Sequence, residues 1–159
     1  MGLMQKVILG IDVGMKGALS FYDGKELLIY DMPTFDRNKT SRLDCNKIAN
    51  IIQLNDPDHA WIEQVNAFGM GATSAFNFGF GCGAIEGILS SLKVPFSYVS
   101  PQKWKKDMQC PKDKDAARAR ATQLLPNHAH NWDLKKHDGR AESALIALYA
   151  FNKQETTWT

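Results

Sequence analysis

The apolar positions change period along the chain, and each change predicts an element. Residues 6–12, 17–22 and 27–32 are short, mostly apolar runs, and each reads as a strand. Asp23-Gly24 between the second and third is a hairpin signal. Pro33 ends the third strand, and a polar loop follows through Asp36, Arg37, Asn38, Lys39 and Thr40. Ile48, Ile51 and Ile52 recur at helical spacing, which predicts a helix over 43–54 capped by Asp44 or Ser41. Residues 60–65 form a fourth strand. Residues 72–92 are a long amphipathic stretch carrying Gly79, Gly81, Gly83 and Gly87. A fifth strand over 94–99 is followed by helices over 113–125 and 135–151, the last with small and apolar Ala141, Ala144, Leu145, Leu148 and Phe151. A meander followed by βα crossovers predicts an α/β protein with a five-stranded mixed sheet and helices on both faces.

Two of these strands carry a misplaced charge. Asp12 lies within Val7-Ile8-Leu9-Gly10-Ile11-Asp12-Val13-Gly14, and Glu63 within Ala60-Trp61-Ile62-Glu63-Gln64-Val65. A carboxylate among apolar residues loses hydration and needs a partner. One such acid reads as a structural hydrogen-bond acceptor; two in strands that can be neighbours favour a metal site. Asp138 and Glu142, spaced i,i+4, project from one face at the start of the last helix. Alone they would simply complement the helix dipole. With Asp12 and Glu63 they complete a four-carboxylate set. Such a set suits a hard ion, Mg²⁺ with Mn²⁺ as substitute. Two ions roughly 3.5–4 Å apart suit phosphodiester hydrolysis.

Composition narrows the setting. The 159 residues fit one domain, with 44% hydrophobic and 23% charged residues, an ordinary globular balance. No apolar run approaches a membrane span, and Met1 to Lys6 carry no signal-peptide pattern, so a cytoplasmic protein is expected. Cys45, Cys82 and Cys110 have no zinc-site spacing and read as reduced thiols. Net charge is +2 and uneven: residues 1–100 carry 8 Lys/Arg against 10 Asp/Glu, and residues 101–159 carry 11 against 7. The basic excess supports a basic face weakly.

With these motifs in hand, the chain resembles the RuvC-type Holliday junction resolvases of the ribonuclease H-like superfamily over nearly its whole length. Gly10-Ile11-Asp12-Val13-Gly14 looks like the first-strand motif, with Val13 where proline is frequent. Ile62-Glu63-Gln64-Val65 looks like the second acidic motif. Asp138 and Glu142, leading into Ser143-Ala144-Leu145-Ile146-Ala147, resemble the paired C-terminal acids. Many relatives space that pair i,i+3 and some place histidine first, so His137 competes with Asp138. The resemblance implies that residues 1–159 are a single RuvC-like nuclease domain that nicks four-way junctions or forks. Its compact size and lack of a motor-binding feature would suit a phage enzyme, acting in the cytoplasm of a bacterium or an infected host.

Lysines supply the candidate DNA face. Lys103, Lys105 and Lys106 follow the fifth strand, and Lys112 and Lys114 precede or open the next helix. Each phosphate contact would make binding more salt-sensitive. The resemblance makes Lys105 and Lys114 counterparts of lysines that contact DNA or assist the cut. Lys103, Lys106 and Lys112 read equally well as a solvated loop. Phe68, on the glycine-flanked loop after Glu63, is either a base-stacking wedge or a core anchor; the usual wedge position holds Asn66. Gly79-Phe80-Gly81-Cys82-Gly83 is not a dinucleotide loop. The resemblance makes its helix the interface of a homodimer with two sites on opposite strands.

Three other readings compete. An actin- or sugar-kinase-like ATPase also opens with Asp-x-Gly but needs two such domains. A RuvC-like nuclease acting on RNA shares the strand acids but is usually shorter. A non-catalytic DNA-binding module has no reason to embed four acids.

Overall fold

The N-terminal apolar runs pair into the expected meander in a computed structural model describing residues 6–156, the side chains of 114, 155 and 156 excepted. Strands β1 (Ile8–Asp12), β2 (Ala18–Tyr22) and β3 (Leu27–Asp31) are antiparallel neighbours. Asp23 closes the β2–β3 turn: its carboxylate accepts from the amides of Lys25 (2.9 Å) and Glu26 (2.7 Å).

Two parallel strands extend the sheet on the other side of β1. The full order is β3-β2-β1-β6-β7, with β6 at His59–Glu63 and β7 at Phe96–Val99. The sheet is five-stranded and mixed, as the pattern predicts. Its two faces bury separate cores because strand side chains alternate. Leu9, Ile11, Leu19, Phe21, Ala60 and Ile62 pack against helices α1 (Cys45–Asn55) and α2 (Ala72–Ser91). Ile8 and Tyr22 pack on the opposite face with α3 (Pro101–Asp107), α4 (Lys114–Leu124) and α5 (Asp138–Thr156). Asp44 is the residue that caps α1, accepting from the Lys47 amide at 3.1 Å; Ser41 instead donates to Asp36.

Three segments differ from expectation. Residues 34–43 form a second, two-stranded sheet, β4 (Thr34–Arg37) with β5 (Thr40–Leu43), rather than a loop. Asn38 and Lys39 turn it with φ of 50° and 63°, a two-residue hairpin made without glycine. The lysine-rich stretch after β7 is the helix α3, begun by Ser100, whose hydroxyl accepts from the Lys103 amide at 3.2 Å, with Pro101 in its first turn. The last helix begins at Asp138, and Lys135–His137 form a 3-10 turn before it.

Helix α5 lies unusually close to the sheet. A Cβ at Gly10 would sit 2.6 Å from the Ala147 amide nitrogen and against the Ser143 carbonyl. A Cβ at Gly139 would meet the Lys16 carbonyl and lie 3.3 Å from Asp12 Oδ2. Between them, the Ser20 and Ser143 hydroxyls, both fully buried, share a hydrogen bond at 2.6 Å, and Ser143 donates to the Arg140 carbonyl at 3.0 Å. Gly139, Ser143 and Ala147 recur every four residues, so one stripe of the helix is small enough to seat its backbone on β1.

Candidate metal centre

The register of the parallel pair brings the two strand acids together. Ile11 pairs with Ile62, so Asp12 and Glu63 stand one step beyond, each the last residue of its strand. Asp12 is thus at the strand's end, where the ladder stops and a side chain reaches toward the cleft. Asp12 shares a face with Gly10, and Glu63 with Trp61, so both acids point toward the α5 side of the sheet. The close seating of α5 delivers a third acid, Glu142. One carboxylate oxygen from each of Asp12, Glu63 and Glu142 lies within 4.8 Å of the others. Glu63 is buried, while Asp12 and Glu142 are half-buried.

Three carboxylates this close repel one another by at least about 3 kcal/mol per pair at a protein-like dielectric. An all-oxygen donor set of this charge fits a hard divalent cation. Burial raises the Glu63 carboxyl above the usual carboxylate range, opposed by a hydrogen bond from Trp104 and the charge of Lys105. The indole Nε1–H of Trp104 donates to Glu63 Oε2 at 2.6 Å inside the core.

Asp138 does not join this group. It lines the same cleft as Asp12 and Glu142, of about 1040 Å³, but its Oδ1 accepts from Arg118 Nε at 3.1 Å. Arg118 also binds Asp115 at 2.8 Å and so ties α4 to the start of α5. His137 lines the cleft too; its Nδ1 accepts from the Leu134 amide at 3.4 Å. Burial lowers the His137 pKa, as do the charges of Arg140 and Lys136. Arg140 is bidentate to Asp31, at 2.7 Å through both Nε and Nη2, and that bond holds the Asp31 carboxyl below its ordinary range.

The DNA-face candidates fall into different settings. Lys105 is half-buried, with Nζ 5.4 Å from the centre of the Trp104 ring. Lys103 and Lys106 are exposed on α3. Lys114 is the first residue of α4, and its side chain lies outside the described residues. Phe68 is 92% exposed on the loop after β6, which removes the reading of a core anchor. Phe76 and Phe80 on α2 are also exposed.

Sequence reasoning missed Trp104, Arg118 and the cleft cations Lys16 and Lys136. For Trp104 a signal was present: Ser100-Pro101 is a helix start, and Trp104 and Met108 then share its inner face. Arg118 pairs with an acid 20 residues away, which no local spacing shows.

No protein-family model matches the chain, and no curated protein sequence matches it significantly. Solved structures do. RuvC of T. thermophilus in complex with a Holliday junction substrate superposes with a TM-score of 0.66 at 16% identity, over 94% of this chain and 96% of that one. The yeast mitochondrial Holliday junction resolvase gives 0.55 at 16%, over 95% and 80%. The fowlpox virus resolvase with its Holliday junction DNA gives 0.52 at 15%, over 93% and 98%. The chain therefore has the fold of the RuvC-type Holliday junction resolvases, a ribonuclease H-like mixed sheet with helices on both faces.

Proposed function

We propose that the protein is a structure-selective endonuclease that nicks four-way junctions and related branched DNA. One observation carries the reading: acids from β1, β6 and α5 converge within 4.8 Å, two of them lining a cleft, in a fold shared with resolvases solved on Holliday junction DNA. Mg²⁺, with Mn²⁺ in its place, would supply Lewis acidity for phosphodiester hydrolysis from two ions per site.

The chain's own residues divide the remaining work. Asp12, Glu63 and Glu142 would hold the ions, and Asp138 would join them when it leaves Arg118. Lys105 brings positive charge beside Glu63, and Lys103, Lys106 and Lys114 extend it for phosphates. Phe68 stands ready to stack on an unpaired base at a junction centre. The exposed aromatic side of α2 would pair with a second copy, placing two sites on opposite, symmetry-related strands of the junction. Among the described residues no helix is long and apolar enough to cross a membrane, which fits a DNA-directed role in the cytoplasm.

The test is a cleavage panel of synthetic four-way junction, fork and linear duplex, with and without Mg²⁺. Nicks in the branched substrates alone are expected, and Asp12→Asn should bind the junction without cutting it. Equal cutting of linear duplex, or none of any substrate, would overturn the proposal.

A further inference from the structure

We propose that Trp104 is a positioning residue that fixes the Glu63 carboxylate for metal binding; this rests on the metal site proposed above. The placement follows from topology. Glu63 pairs with Val99 across β6 and β7, and α3 starts two residues after Val99. One turn into α3, Trp104 returns to the end of β6. Seven residues of helix have little stability of their own. The fully buried Trp104 docks α3 on the core, beside Met108 and Cys110.

The indole N–H is a buried donor that needs an acceptor. An indole does not find one by default: Trp61, two residues before Glu63 on the same strand face, buries its Nε1 with no hydrogen-bond partner among the described residues. Trp104 instead donates to Glu63 Oε2 at 2.6 Å, a short, charge-assisted bond. A carboxylate has about four lone-pair sites, so a single donor fixes its plane and leaves the rest for a cation. The donor's neutrality matters as much. Arg118 holds Asp138 with a full positive charge, and Asp138 stands outside the carboxylate group. The uncharged indole orients Glu63 without itself neutralising the carboxylate, and Lys105 acts on it only through its nearby charge.

The experiment is Mn²⁺ titration of the DNA-free protein, followed by calorimetry and by the free-ion electron paramagnetic resonance signal. Trp104→Phe keeps the ring and removes the donor. Its Kd for Mn²⁺ should rise by roughly 10- to 100-fold, the usual cost of losing a hydrogen bond to a metal ligand. An unchanged Kd, whatever happens to Tm, overturns the proposal while leaving the metal site standing. A wild-type protein that binds no Mn²⁺ brings down the metal site and this proposal together. Should Trp104→Phe fail to fold, the indole ¹⁵N–¹H resonance of Trp104 in the wild-type sequence decides. It should move on Glu63→Gln and on adding Mg²⁺, and a resonance unmoved by both overturns the assignment.

Discussion

The strand ends around Asp12 and the segment from Gln64 to Phe80 are neighbours in sequence and space, yet they are built on opposite terms. At the strand ends each acid rises from a rigid element, and the surrounding packing is closed to the level of a missing Cβ at Gly10 and Gly139. In the following segment, residues 64–74 are all exposed and Gly69 has a φ of 81°. Phe68 presents a bare ring to solvent, and Phe76 and Phe80 stay exposed although their rings lie 6.4 Å apart with Arg42 over Phe80. The first region keeps charge where it is costly, and the second keeps apolar surface where it is costly. On the proposed function each cost is met from outside: a cation for the acids, and a base or a second copy for the rings.

Breaking the closed region should have the largest effect. Glu63→Gln should lower cutting by roughly 10³-fold or more, the scale of losing an electrostatic stabiliser of the transition state. The same change should stabilise the metal-free protein. Burial raises the Glu63 pKa in the folded state above its ordinary value of 4.5. That contribution to stability is full below pH 4.5 and is lost as pH rises through the folded value. At neutral pH the ionised group therefore opposes folding, and its removal should gain on the order of 1 kcal/mol. Thermal melts in chelator at pH 7 check this; a lower Tm for Glu63→Gln would mean the buried charge is not a cost.

Gly10→Val comes next. Its side chain has no room under Ser143 and Ala147, so the protein should lose about 1–3 kcal/mol, read by urea denaturation. Because α5 must lift to admit it, Mn²⁺ affinity should fall with stability. A variant of native stability would show that the seat of α5 is softer than its geometry.

Phe68→Ala probes the open region and should move stability least, within about 0.5 kcal/mol. Junction affinity should still fall by about 1 kcal/mol or more, the size of a lost base stack, while affinity for linear duplex stays constant. Equal losses on both substrates would reduce Phe68 to a general contact.

The two strand acids of the carboxylate group were the easiest to see. Asp12 and Glu63 stood out because apolar runs of period two leave no place for a charge, and the meander and the parallel crossovers were legible from the same runs. Glu142 was visible only by its spacing from Asp138. The structure separates that pair, placing one in the carboxylate group and the other on Arg118. The β4–β5 hairpin was hidden because Asn38-Lys39 adopts left-handed backbone without the glycine that normally announces it. Helix α3 was hidden beneath its lysines, although its start was spelled out in Ser100-Pro101.

By itself the sequence determined the alternation of elements and the charges stranded within them, because periodicity and desolvation act over a few neighbouring residues. Only the tertiary structure decided which acids meet, because a parallel register, a glycine-seated helix and an indole 41 residues from its carboxylate are long-range contacts. Local pattern selects a strand or a helix; close packing between them sets the ångström distances on which a metal depends.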